Sequence, residues 1–122
     1  ETAPAAWPVL FHFFSDFLSH KLLHYTHPMR YVSLDLETTG GNPQRHQILE
    51  LAAVVEDTKR LRPLAELPAF RRVVRHAEVV GTAGALALNA RLLEELARKE
   101  PNPELCTPDE LLPQLREFLL AQ

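Results

Sequence analysis

Residues 31–37 alternate strictly between apolar and polar side chains, and a loop follows at once. An extended strand places the two kinds of side chain on opposite faces, because successive residues point to alternate sides. The apolar face carries Val32, Leu34 and Leu36, and the polar face carries Ser33, Asp35 and Glu37. Residues 38–43 contain the Gly and Asn residues that suit a loop. The segment therefore predicts a one-sided strand that ends beside a loop.

Further strands and helices are predicted downstream. Residues 47–56 are too apolar for a one-sided strand and suit one that is covered on both faces, and residues 70–76 form a weaker third strand. Apolar spacing predicts a helix over residues 89–99, with Asn89 as its N-cap. A capping box with proline at the first helical position begins a second helix over 108–121, in which Pro113 should kink the helix or delay its regular part. The predicted order is β-β-β-α-α.

The first 28 residues differ in composition from the rest of the chain. Five of the nine aromatic residues lie in the first 17 residues and four of the six histidines lie in the first 27, so we place a boundary near Pro28 and Met29. Residues 9–25 fit an amphipathic helix, and they also resemble a hydrophobic signal stretch that lacks a basic n-region and a cleavage site. A third interpretation, which we favour, is that Met29 is the natural start and that residues 1–28 are an extension outside a domain over 29–122.

Composition limits the partners that the chain can attract. With 122 residues it forms one small domain or part of one, and its net charge of −3 gives no large positive field for nucleic acid or membranes. No apolar run reaches the roughly 18 residues of a membrane span, so we expect no membrane partner. The single cysteine, Cys106, excludes an internal disulfide and fits a reducing compartment. We expect a cytoplasmic location.

Asp35 and Glu37 are the strongest candidates for chemistry. They share one strand face, and like charges held this close repel unless a cation neutralises them. Carboxylate oxygens favour Mg²⁺ or Mn²⁺, and two such ions are a common device for phosphodiester cleavage. A solvated acidic face that runs into a turn is the plainer alternative. A D-x-D-x-T aspartyl phosphatase is another, although Glu37 stands where its second Asp belongs.

The stretch from Tyr31 to Asp57 resembles the first block of the DEDD 3′–5′ exonucleases. That superfamily includes the proofreading exonuclease of bacterial DNA polymerase III, RNase T and oligoribonuclease. Its pattern is a strand ending D-x-E-T-T/S-G, followed by Q-I-L/I-E-I/L on the next strand. Both halves are present, at residues 35–40 and at residues 47–51.

This resemblance implies an α/β, RNase H-like fold with a mixed sheet, β-β-β-α order and two divalent ions, Mg²⁺ or Mn²⁺. It also implies removal of nucleoside monophosphates from the 3′ end of single-stranded DNA or RNA, and it suggests a DNA polymerase as a further partner. By this resemblance Asp35 bridges both metals and Glu37 holds one, so both are catalytic. The Leu36 backbone and Thr38 contact the terminal nucleotide. Asn89 is a looser candidate for substrate contact, with a plain helix cap as its alternative.

The family's pattern is incomplete in this chain. The third family carboxylate lies on a later strand, and the fourth lies on a helix associated with a His or Tyr general base. After Asp57 the only aspartate is Asp109, inside the capping box, while His46 and His76 come too early in the order. We therefore expect a C-terminally truncated domain, with later strands absent and no activity of its own, taken from an active parent. The alternative is a non-catalytic binding or interaction module with a vestigial acidic site.

Other charged residues have simpler interpretations. An arginine cluster on the third strand either contacts phosphate or protects a sheet edge; its members are Arg71, Arg72 and Arg75. Glu50 and Glu56 are expected to form salt bridges, and Cys106 is expected to be inert.

Overall fold

The computed structural model describes residues 29–122. Within them four strands form one mixed sheet in the order β1-β2-β3-β4. The strands are β1 (Arg30–Thr38), β2 (Ile48–Asp57), β3 (Ala69–Val74) and β4 (Leu105–Cys106). The first three are antiparallel neighbours, and β4 joins β3 in parallel. The helices are α1 (Ala83–Leu88), α2 (Ala90–Ala97) and α3 (Pro108–Leu120), and a 3₁₀ turn spans Leu64–Glu66. The predictions for residues 1–28 lie outside the described residues.

The three predicted strands and two predicted helices are present, so the α/β prediction with a mixed sheet is confirmed. The sequence did not reveal two elements, β4 and α1. β4 has only two residues, too short for any alternation to show. The α1 sequence AGALAL contains no polar residue, so no helical period marks it, although the Thr82 hydroxyl caps its first turn. The helix predicted over residues 89–99 is shorter in the structure, where it begins at Ala90 and ends at Ala97.

Most of the apolar core lies between the sheet and α3. Leu51 at the centre of β2 is completely buried and packs in one cluster with Leu111 and Leu115 of α3. Val32 and Leu36 of β1 pack against the same cluster. The apolar face predicted for β1 is therefore the face that meets α3.

The opposite face of the sheet is covered by α2 over only part of its area. A smaller cluster joins Leu49 and Val73 of the sheet to Leu92 of α2, with Leu93 and Leu96 packed against it. Residues 47–56 were expected to be covered on both faces, and these two clusters confirm that covering at the start of β2. The side chains of β1 on this face stay exposed or half-buried, which leaves room above Asp35.

Helix α3 begins where its capping box was predicted. The Glu110 carboxylate accepts a hydrogen bond from the Thr107 backbone N–H at 2.8 Å, and Pro108 occupies the first turn. Pro113 is exposed and lies within the helix, so it does not delay the regular part. No helix among residues 29–122 has the length and apolar character needed to cross a membrane.

Candidate active site

Asp35 and Glu37 lie on the same face of β1, as the alternation predicted. Their partners across the ladder are Ala52 and Glu50 of β2. Asp35 is exposed and Glu37 is half-buried. Within residues 29–122 neither carboxylate has a hydrogen-bond or salt-bridge partner, and β1 is an edge strand of the sheet. Both carboxylates therefore remain open to a ligand that approaches from the side of the sheet away from α3.

A register shift ends β1 directly after the pair. The ladder is regular up to Glu37, and Thr38 then pairs with Ile48, which leaves one extra residue on β2. Such a bulge bends the strand and often re-aims side chains near functional sites. The chain then enters a turn at Thr39, which is fully buried. We call residues 38–40 the acidic-pair turn.

Thr39 holds this turn through its backbone and its hydroxyl. The hydroxyl donates to the Val80 carbonyl at 2.7 Å and accepts from the Gln47 N–H at 2.8 Å. The Thr39 carbonyl accepts from the Thr82 N–H at 2.8 Å. A buried residue with all these polar groups satisfied fixes the local backbone. The turn is thus tied to β2 and to the segment before α1.

Gln47 joins the same loop from the other side. Its side-chain amide donates to the Glu78 carbonyl at 2.7 Å, and its amide oxygen accepts from the Val80 N–H at 2.9 Å. The Gln47 side chain thus pairs with both a backbone acceptor and a backbone donor of one segment, as a residue in a β ladder does. The first residue of the second motif half therefore fixes residues 78–80 beside the turn, and Ile48 behind it packs in the core.

Two glycines allow the close packing around the turn. Gly40 has a φ of +157°, and a Cβ there would overlap the ring of His46. Gly81 lies against Thr39, and a Cβ there would overlap the Thr39 carbonyl oxygen. A larger residue at Gly40 would have to displace the His46 ring, and one at Gly81 would have to displace the Thr39 backbone. His46 accepts from the Asn42 N–H at 2.9 Å through Nδ1, so it organises the loop.

Asn89 connects the helix junction to the acidic-pair turn. Its side-chain amide donates to the Thr38 carbonyl at 3.2 Å and to the Ala85 carbonyl at 3.1 Å. Asn89 occupies the N-cap position of α2 as expected, but its side chain makes no capping hydrogen bond because it is turned toward these carbonyls. The structure thus brings Asn89 next to Thr38. Its contact with substrate stays a prediction, as do those of Thr38 and the Leu36 backbone.

Replacing Asn89 by Ala should destabilise the fold by about 1–3 kcal/mol, because the buried amide supplies two hydrogen bonds that nothing nearby replaces. Urea unfolding measures the change. The matched control is Leu88→Ala, whose side chain is 90% exposed and whose loss should cost less than about 0.5 kcal/mol. Equal stability of the two variants would show that Asn89 does not anchor the turn.

The arginine cluster lies on a strand that is only partly covered at its outer edge. β3 lies between β2 and β4, but the two residues of β4 pair with Val73 and Val74 and not with Arg71 or Arg72. Contact of the cluster with phosphate stays a prediction. Arg71 forms salt bridges with three glutamates, Arg72 lies over the Phe70 ring at 4.7 Å and donates to Gln114, and Arg75 donates to carbonyls at the end of α2. The cluster joins elements together. The sequence did not predict these contacts, because the residue pattern of one strand does not show which elements lie beside it.

Four other titratable residues have structural surroundings that explain their state: Glu50, Glu56, His76 and Cys106. Glu50 forms the expected salt bridge, with Arg71, whereas Glu56 instead accepts a hydrogen bond from the Tyr31 hydroxyl and thereby raises the pKa of Tyr31. His76 donates through Nε2 to the Ile48 carbonyl at 2.7 Å, because a carbonyl only accepts. Burial raises the pKa of the Cys106 thiol to about 11, which keeps it protonated and agrees with the expectation that it is inert.

The acidic pair fits a divalent cation only in part. Two carboxylates on one face, open and without hydrogen-bond partners in the described region, supply the hard oxygen ligands that Mg²⁺ and Mn²⁺ prefer. Mg²⁺ is commonly held by one or two carboxylates and keeps several waters. Residues 29–122 contain no group of three or more His, Cys, Asp or Glu side chains arranged to hold a metal. The pair is therefore suited to a weakly held, hydrated ion.

Residues 32–89 match the model of a family described as exonuclease. The matched segment runs from β1, through both motif halves, to Asn89. That family is part of the DEDD exonuclease superfamily. The match covers just under half of the 122 residues and corresponds to the N-terminal portion of the exonuclease domain. No curated protein and no solved structure gives a significant match.

The exonuclease match agrees with the architecture. A mixed sheet whose first three strands are antiparallel, with helices on both faces, is consistent with the RNase H-like fold expected from the resemblance. Within the matched segment the two motif halves contribute different parts of the site. Asp35 and Glu37 present open carboxylates, while Gln47 and Thr39 hold the backbone that follows them. The arrangement places two charged ligands on an anchored strand end.

Proposed function

We propose that this chain carries the first metal-binding block of a metal-dependent 3′–5′ exonuclease. The observation that supports the proposal is the open, same-face pair Asp35 and Glu37 inside a segment that matches an exonuclease family. In the parent activity nucleoside monophosphates are removed stepwise from the 3′ end of single-stranded DNA or RNA. A DNA polymerase is the further partner proposed, and a cytoplasmic location stays a prediction.

Asp35 and Glu37 are the residues that would hold Mg²⁺ or Mn²⁺. A bound divalent ion would supply charge neutralisation and the activation of a water molecule for phosphodiester hydrolysis. The protein's own contribution is to keep both carboxylates on one face and to fix the adjoining turn. Thr38, whose hydroxyl donates to the Gly40 carbonyl at 3.1 Å, and the Leu36 backbone are proposed to receive the terminal nucleotide beside the pair.

The chain alone is expected to show little hydrolysis. Residues 29–122 contain no group of three metal-ligating side chains, and two carboxylates by themselves cannot supply the general-base and two-ion contributions, each of which is worth on the order of several kcal/mol in barrier. The measurement uses single-stranded DNA and RNA, each labelled at the 3′ end, with Mg²⁺ and with EDTA as the control. Mg²⁺-dependent release of labelled mononucleotide at a robust rate would contradict the expected need for further carboxylates.

Binding to the 3′ end tests the proposed function without turnover. In Mn²⁺ the chain should bind a single strand with a 3′ hydroxyl more tightly than it does in EDTA, because the ion neutralises the carboxylates that would otherwise repel the phosphates. Fluorescence anisotropy measures both affinities. Equal affinities in Mn²⁺ and in EDTA would contradict the proposal.

A non-catalytic binding module is the second candidate. It is favoured by the lack of a three-residue metal group among the described residues. In a vestigial site, Mn²⁺ would have no effect on nucleic-acid binding. The anisotropy experiment with and without Mn²⁺ therefore separates the two candidates.

A further inference from the structure

Arg71 gathers carboxylates from three separate parts of the fold. Its Nε donates to Glu50 of β2 at 2.7 Å, its two terminal nitrogens donate to the two oxygens of Glu95 in α2 at 3.2 and 3.0 Å, and it also pairs with Glu104 before β4. Asn102 donates to Glu95 at 3.1 Å. The guanidinium beside Glu95 holds the pKa of that carboxyl below its usual value. Arg71 is therefore the centre of an ion-pair network that is charge-assisted and partly buried.

Glu50 is also the residue directly opposite Glu37 in the β1–β2 ladder. Side chains at opposite positions have their Cβ atoms about 4.5–5.5 Å apart, and like charges there are destabilising. A free Glu50 carboxylate would therefore reach the acidic pair. Its side chain is only 18% exposed and is held by Arg71 instead.

The strand register places the Arg71 side chain where it can bind the Glu50 carboxylate from the neighbouring row of the sheet. Ala52 pairs with Asp35 on one side and with Arg71 on the other, so these three residues form one row across β1, β2 and β3. Because Ala52 is small, the Arg71 side chain can cross toward Glu50 in the neighbouring row. Val73, which is directly opposite Glu50 on β3, is apolar and cannot pair with it.

We propose that Arg71 is a positioning residue that withholds Glu50 from the acidic pair, so that a divalent cation meets two carboxylates there and not three. The inference rests on the proposed metal-binding role of Asp35 and Glu37. A third carboxylate would tighten cation binding, since affinity for hard cations rises with the number of charged ligands. It would also repel the phosphates of an approaching strand. Arg71 thus sets both the strength of metal binding and the charge that a nucleic acid meets.

The test measures Mn²⁺ affinity from the electron paramagnetic resonance signal of the free ion. Arg71→Gln should raise the affinity about tenfold, because Glu50 is released beside Glu37. The double variant R71Q/E50Q should return to the wild-type affinity. Glu50→Gln alone should leave the affinity within about twofold of wild type, since Glu50 is already withheld. Arg72→Gln is the matched control, because this arginine contacts Phe70 and Gln114 and should leave Mn²⁺ binding unchanged.

Two results would overturn the inference. The first is an R71Q affinity equal to that of R71Q/E50Q. The second is a tenfold loss in E50Q alone, which would make Glu50 a ligand in the native site. If R71Q does not fold, E50Q alone decides, since unchanged affinity supports the inference and a loss overturns it. If the wild-type chain binds no Mn²⁺, the proposed function fails. Even then, Mn²⁺ binding that appears in R71Q and disappears in R71Q/E50Q would support the inference that Arg71 withholds Glu50.

Discussion

Replacing Asp35 by Asn should lower Mn²⁺ affinity at least about tenfold, and Glu37→Gln should do the same. Each change removes one of the two charged oxygen ligands on the open face of β1 while it keeps the size of the side chain. Isothermal titration calorimetry measures the affinity. Since neither carboxylate has a partner among residues 29–122, removal of its charge should not destabilise the fold. Because the repulsion between the two carboxylates is relieved, the urea concentration at the midpoint of unfolding should stay the same or rise slightly.

Glu56→Gln is the control for this prediction. Glu56 is on β2, on the same face of the sheet as the pair, but it lies opposite Tyr31 at the far end of β1. The variant therefore removes an equal charge from the same surface and should keep the wild-type affinity. Equal losses in E56Q and D35N would mean that Mn²⁺ is attracted by the general negative field and not held by the pair.

Replacing Gly81 by Ala should destabilise the protein by about 1–3 kcal/mol, the usual cost of forcing extra atoms into a packed site. The new Cβ would overlap the carbonyl oxygen and the side chain of Thr39. Relief requires movement of the acidic-pair turn, because the collision is largely with backbone. Thermal unfolding should show the loss of stability, and calorimetry should show weaker Mn²⁺ binding together with it.

Gly84→Ala gives the matched control in the same stretch of chain. Nothing lies within 4 Å of a Cβ at Gly84, which is in α1. Alanine there should stabilise the protein by up to about 1 kcal/mol, since it favours the helix over the unfolded chain. Loss of stability in G84A, or none in G81A, would contradict the packing described for the turn.

Local sequence patterns predicted the parts of the site that depend on one strand. The shared face of Asp35 and Glu37 follows from the period of two, and the structure confirms it. The capping box of α3 is likewise a short-range pattern, and its Thr107–Glu110 contact is present. Both features are fixed by residues within four positions of each other, which is why the sequence alone sufficed.

The supports of the site depend on contacts between distant residues, and the sequence did not show them. Gln47 is 31 residues from Glu78, and Asn89 is 51 residues from Thr38. Only the tertiary fold decides that these groups meet. Asn89 illustrates the difficulty. An Asn before an apolar helix typically caps that helix with its side chain, but the Asn89 side chain donates to the Thr38 carbonyl of the acidic-pair turn instead.

The contacts that the β3 arginines make within the fold were not predicted, for a related reason. A basic cluster on one strand fits phosphate binding or edge protection when the neighbours are unknown. The two-residue β4 places β3 inside the sheet, and α2 brings Glu95 to Arg71. The spacing of arginine and glutamate residues along the chain does not predict this ion pair.

Paramagnetic broadening by Mn²⁺ in a two-dimensional NMR spectrum tests the central claim most directly, because it locates the bound ion. The account predicts that substoichiometric Mn²⁺ first broadens the amide signals of residues 35–40 in β1 and the acidic-pair turn. Signals from the hairpin over 58–68, at the other end of the sheet, should stay sharp. Broadening centred on Glu95 and Glu104, with residues 35–40 unaffected, would contradict the claim that Asp35 and Glu37 hold the metal.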